Sequence, residues 1–138
     1  MYLFDTCALS ELVAPKRNPH AIEAILAIPD NQWFIAAVTV GEIKRGIEEM
    51  VQCPRRNFLE NWYKEHVLGI YQHKAIVFGT EEADAWGVLV ATLRHKKMAM
   101  SVPDSQIAAT ALTHNLTLVT RNEKDFAHCG IRVFNPWR

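Results

Sequence analysis

Cysteine is scarce and poorly spaced for metal or disulfide chemistry. Only Cys7, Cys53 and Cys129 occur in 138 residues. An odd number with no Cys-x-x-Cys or Cys/His spacing argues against a zinc site or a disulfide framework, and free thiols in a reducing compartment are expected. An excess of either charge is also missing. Lys plus Arg and Asp plus Glu stand at 15 each, a formal net charge of zero. Composition therefore gives no global attraction to nucleic acid or to a membrane surface, although a basic rim around an acidic pocket also sums to zero. No run reaches the ~18 apolar residues of a membrane span, and Met1-Tyr-Leu-Phe-Asp5 carries no charged leader ahead of an apolar stretch. A cytoplasmic location and no membrane partner are expected. Gly-x-Gly-x-x-Gly, P-loop and Gly-x-Ser-x-Gly motifs are absent. Dinucleotide, nucleotide-hydrolase and esterase readings lose their usual support. The histidines, His20, His66, His73, His95, His114 and His128, are scattered without ligand spacing.

What is present is a hydrophobic fraction of 49%, enough for one domain over residues 1–138 with a sizeable core. Tyr2–Asp5, Trp33–Val38, Ile76–Phe78, Leu116–Thr120 and Ile131–Phe134 read as short strands. Helical patterns fall between them. Asn18-Pro19 opens one helix with Ile22, Ile25, Leu26 and Ile28 on its apolar face, and Pro29 stops it. Thr39-Val-Gly-Glu42 opens the next. Further helices span roughly Arg55–Leu68, Thr80 onward (Ala83, Trp86, Val90 and Leu93 on one stripe) and Pro103–His114. Alternating strands and helices predict an α/β fold, a mostly parallel sheet of four or five strands with helices on both faces. In such sheets ligands sit beyond the carboxyl ends of the strands, near the switch in strand order.

Acids occupy those places. Asp5 ends the first strand, Glu42 lies in the first turn of the helix after the second, and Asp104 lies in the first turn of the helix before the fourth. Asn122, Glu123 and Asp125 follow that fourth strand. Each has a local explanation. Asp5 can cap the helical turn after it. Thr39-x-x-Glu42 matches a capping box. Asp104 can complement a helix dipole, and Asp125 can be a solvated acid. Together they form a joint pattern. Unpaired carboxylates are costly to gather and bury, and a divalent cation relieves that cost. Oxygen-only ligands suit Mg²⁺ or Mn²⁺, with open positions for a phosphodiester and a water.

The stretches LFDTCALSEL, VTVGEIKRGIE, PDSQIAATAL and LVTRNEKDF, with NPW near the end, resemble the PIN-domain nucleases. The likeness is greatest to the VapC-like toxins of bacterial type II toxin–antitoxin pairs, the FitB-like branch. It spans nearly the whole chain in the same motif order. It implies a three-layer α/β/α PIN-like domain and a Mg²⁺- or Mn²⁺-dependent endoribonuclease. By position, Asp5, Glu42 and Asp104 match the family's three acids and Asn122 its fourth site position, with Asp125 as a further candidate ligand. Thr6 and Thr120 adjoin the site. Arg121, Lys44 and Arg45 are the nearest candidate phosphate contacts. The resemblance also implies a homodimer inhibited by a cognate antitoxin protein. Two departures stand out: Cys7 replaces the usual Asn after Asp-Thr, and SVPD lacks an additional acid found in relatives. Two other classes remain open on the residues. One is a non-catalytic partner protein with a degenerate site. The other is a receiver-like phosphoryl-accepting module, which would need paired acids after the first strand and a lysine after the last.

Overall fold

The computed structural model describes residues 1–138. Five strands form one all-parallel sheet in the order β3-β2-β1-β4-β5: β1 Tyr2–Phe4, β2 Trp33–Ala36, β3 Ala75–Ile76, β4 Thr117–Val119 and β5 Val133–Phe134. The chain leaves β1 for one side of the sheet and later returns to its other side at β4, so the switch in strand order lies between these two. Their register pairs Phe4 with Val119. The next residues, Asp5 and Thr120, therefore emerge side by side at the carboxyl edge.

β1 is central and buried on both faces, as expected of a parallel strand covered by helices. Phe4 belongs to a core with Leu9, Ile35, Ile43, Ile47 and Trp62, and Leu3 to a second core with Leu89, Leu93, Ile107 and Leu118. The first lies under α1 (Thr6–Glu11), α2 (Pro19–Leu26), α3 (Ala37–Glu48) and α4 (Pro54–Trp62); the second lies under α5 (Thr80–His95) and α6 (Val102–His114). This is the three-layer α/β/α arrangement. No helix is long and apolar enough to cross a membrane.

Local signals account for most boundaries. Asn18 caps α2, its Oδ1 accepting from Ala21 N, with Pro19 at the first helical position. α5 and α6 run antiparallel, held by Trp86 Nε1 donating to Ser105 Oγ at 2.8 Å and by the His114 Nε2–Glu82 Oε2 contact at 2.8 Å. Fully buried Ala108 and Ala109 let α6 pack close.

Several elements differ from the sequence reading. β2 ends at Ala36, which already serves as the cap of α3, so α3 starts two residues before Thr39. Glu42 then sits beyond the first turn and forms no capping box. Leu26 is exposed and Ala21 and Ile25 carry the buried face of α2; Phe58 of α4 is also exposed. On α5 the buried stripe is Leu89 and Leu93, with Ala83 outside it. The helix after Pro54 continues past Trp62 as a π-helical stretch, Tyr63–Ile70. Lys74 is buried, donating to the carbonyls of Asp30 and Trp33 and lying 4.1 Å from the Trp33 ring centroid. Backbone oxygens, the Asp30 carboxylate at 3.5 Å and a π face replace the water this ammonium has lost.

Candidate active site

Asp5 lies just past β1 and caps α1, its Oδ1 accepting from Ala8 N at 3.0 Å. The cap and a ligand role are compatible, because a carboxylate has a second oxygen. Only 5% of the residue is exposed. Burial pushes its carboxyl up to about 6 from 3.8, against hydrogen bonds from Thr120, Ala8 and Cys7 that pull it down.

Thr120, fully buried beyond β4, joins two site residues. Its hydroxyl bonds Asp5, and its Oγ1 accepts from Asn122 N at 3.0 Å. Asn122 Nδ2 reaches Cys7 Sγ at 3.4 Å. Cys7 in turn faces Asp5, and burial together with the Asp5 carboxylate pushes the thiol up to about 11. Cys7 is therefore a neutral thiol that bonds both Asp5 and Asn122. The departure from the family motif keeps a small polar link at this position.

Glu42 connects through Thr6, whose Oγ1 donates to Glu42 Oε1 at 3.0 Å. Burial raises the Glu42 carboxyl, and so does the nearby Asp104 carboxylate, while Arg45 lowers it. Asp104, in the first turn of α6, is raised by burial and by Asp125. These links run from Asp5 through Thr6 to Glu42, Asp104 and Asp125, and from Asp5 through Thr120 to Asn122. They form one patch at the carboxyl edge of β1 and β4. Side chains from four separate chain segments are thus linked step by step around Asp5 and Thr6. The other basic candidates are less committed to the patch. Lys44 and Arg45 are exposed and paired along α3 with Glu48 at 2.7 Å and Glu49 at 3.3 Å. Arg121 lies over the Trp137 ring, 5.2 Å from its centroid.

Trp137 was absent from the sequence-based site. Its Nε1 donates to Glu11 Oε1 at 2.8 Å, and it lines a cavity of about 400 Å³ with Thr6, Cys7, Lys16 and Arg121. The closing Asn-Pro-Trp was the signal, because Asn135 Oδ1 accepts from Trp137 N and fixes that turn.

None of Asp5, Glu42, Asp104 and Asp125 forms an ion pair with a lysine, arginine or histidine. The three whose acidity departs from the ordinary all hold their protons more tightly. No three His, Cys, Asp or Glu side chains close into a compact ligand cage. The patch offers oxygen donors only, and an ion there would have to draw on few carboxylates and several waters.

Two outcomes follow from this geometry. The raised Asp5 pKa means that the folded, metal-free chain binds more protons than the unfolded chain between about pH 4 and 6. Stability attributable to Asp5 is complete below that window and is lost as pH rises through it, by roughly 3 kcal/mol. Denaturant midpoints in EDTA at pH 4 and pH 7.5 check this against Asp5→Asn, which lacks that component. Thr120→Val removes the hydroxyl shared by Asp5 and Asn122 and costs about 1–3 kcal/mol of stability. Thr120→Ser restores it, as read by denaturant midpoints.

The PIN-domain family profile matches residues 2–131. The chain is 26% identical over 137 residues to toxin FitB of Neisseria gonorrhoeae, covering 99% of each. It is 29% identical over 141 residues to the VapC ribonuclease Y4jK of Sinorhizobium fredii, covering 99% of this chain and 98% of that one. A FitAB complex bound to a DNA fragment matches at 25% identity with a TM-score of 0.92, over 100% of this chain and 96% of that one. With its parallel 3-2-1-4-5 sheet and its acids at the switch point, the chain belongs to the PIN-domain family, in the branch of the VapC ribonucleases and FitB toxin.

Proposed function

We propose that the chain is a Mg²⁺- or Mn²⁺-dependent endoribonuclease, the toxin of a type II toxin–antitoxin pair. The observation that carries this reading is the acidic patch. Asp5, Glu42 and Asp104 come from distant segments, are partly or wholly withdrawn from water, and form no ion pair. A fold that needed these acids only for stability would pair them. The VapC ribonuclease relative supports RNA as the substrate.

Asp5 and Asp104 would hold the ion, with Asn122 and Asp125 completing its surroundings. The bound ion supplies Lewis acidity at the phosphate and makes water a stronger nucleophile near neutral pH. Glu42 takes the Thr6 hydroxyl on Oε1 and has no protein partner on Oε2, which leaves that oxygen to orient the attacking water and accept its proton. Thr120 fixes Asp5, and Cys7 fixes Asn122. Arg121, Lys44 and Arg45 are proposed phosphate contacts. Water attacks directly, so no covalent enzyme intermediate forms, and the products carry 5′-phosphate and 3′-hydroxyl ends.

The chain's proposed partners are a cognate antitoxin protein and a second copy of itself, in the cytoplasm. A toxin–antitoxin complex from Klebsiella pneumoniae, 27% identical with a TM-score of 0.70 over 100% of this chain and 99% of that one, supports the antitoxin reading. The experiment is incubation of the purified chain with single-stranded RNA in Mn²⁺, in Mg²⁺ and in EDTA. Cleavage with either ion and none in EDTA is expected. Equal cleavage in EDTA, or none in any condition, contradicts the reading.

A further inference from the structure

We propose that the cavity beside Asp104 receives the base of one nucleotide adjoining the scissile bond of single-stranded RNA; this rests on the ribonuclease reading above. The cavity has a volume of about 440 Å³ and is lined by Asp104, Met98, Met100, Cys129, Lys124 and His128. That size suits a small organic ligand. Because Asp104 belongs both to the cavity and to the acidic patch, a nucleotide seated here carries its phosphate to the carboxylates.

The lining favours a flat, polarizable ring. Three sulfurs gather here, and Cys129 Sγ touches Met100 Sδ at 3.1 Å. Thioethers adapt their shape and attract aromatic rings. Unstacked bases in single strands turn outward into such surfaces, whereas a duplex withholds them.

Several of the molecule's unpaired cations border this cavity. Lys44, Arg45 and Arg56 also pair with Glu48, Glu49 and Glu60; the Lys44 and Arg45 pairs are exposed, weak, and open to exchange for a phosphate. Arg94, Lys96 and Lys97 at the end of α5, and Lys124 at the cavity, enter no ion pair. Arg94 also lines an adjoining cavity with Met98 and Met100, so the end of α5 borders the base cavity. Unpaired cations along one edge suit a phosphate backbone, with binding that weakens as salt rises. The antiparallel packing of α5 on α6 creates both the cavity and this basic border.

The test uses the full chain in Mn²⁺ and short single-stranded RNAs with one abasic nucleotide at successive positions around the cut. At one position next to the cleaved bond, loss of the base lowers kcat/KM about tenfold or more. Loss elsewhere changes it little. Met100→Trp, which fills the cavity, gives a comparable loss on intact RNA and no further loss on that abasic RNA. Cleavage of intact RNA with equal rates for every abasic position overturns the base cavity and leaves the ribonuclease reading standing. An undiminished Met100→Trp effect on abasic RNA does the same. If Met100→Trp does not fold, the abasic series on the parent chain decides alone. Failure to cut intact RNA in Mn²⁺ overturns the ribonuclease reading and the base cavity with it.

Discussion

Asp5→Asn loses cleavage and gains stability in the same substitution. Removing an ionic ligand lowers activity roughly 10³-fold or more, beyond the 10–100-fold typical of residues that only support a ligand. The stability change has the opposite sign from most buried substitutions. Asp5 is 5% exposed with a carboxyl raised to about 6, so at pH 7.5 the metal-free fold holds a charge that burial opposes. An Asn side-chain oxygen still accepts from Ala8 N and caps α1 nearly as well. The variant in EDTA is expected to gain up to ~3 kcal/mol, or about 10 °C in Tm. Adding Mn²⁺ reverses the order, because the ion stabilises only the chain that binds it. Thermal melting of both proteins, with EDTA and with Mn²⁺, checks the crossing.

Asp104→Asn separates chemistry from fold. Activity again falls about 10³-fold or more, but stability stays within ~1 kcal/mol of the parent. Asp104 is only half-buried, and its helix-capping contact uses its backbone N–H to Ser101 Oγ at 3.2 Å, which Asn retains. Loss of a helix-dipole partner is offset by relief of the Glu42 and Asp125 charges that face it. The pair of variants therefore differs in melting temperature in EDTA and agrees in lost cleavage. RNA cleavage assays and melts on the same preparations provide both readings.

These contrasts show which features could be read from the amino acids. The strands were legible because apolar runs of this length must be buried on both sides, as Leu3 and Phe4 are. The placement of Asp5 was legible because it directly follows an apolar strand, and that of Asp104 because Ser101 and Pro103 mark the start of α6. The role of Thr120 depended on the Phe4–Val119 register, which no local pattern encodes. The Thr39-x-x-Glu42 pattern misled, since α3 begins at Ala37 and Glu42 bonds Thr6 across 36 positions instead. Helix periodicity placed Leu26 on the buried face, but the finite width of that face left it outside. Burial of Lys74 gave no warning, because its partners, the Asp30 carboxylate, two backbone carbonyls and the Trp33 ring, lie more than forty positions away. The sulfur-lined cavity was equally hidden, as it exists only where α5 meets α6 and the segment after β4.

Calorimetric titration of Mn²⁺ into the intact chain at pH 7.5 tests the shared acidic patch most directly. Stoichiometric binding to the parent, abolished in both Asp5→Asn and Asp104→Asn, is the predicted result. No binding to the parent, or binding that survives both substitutions, contradicts it.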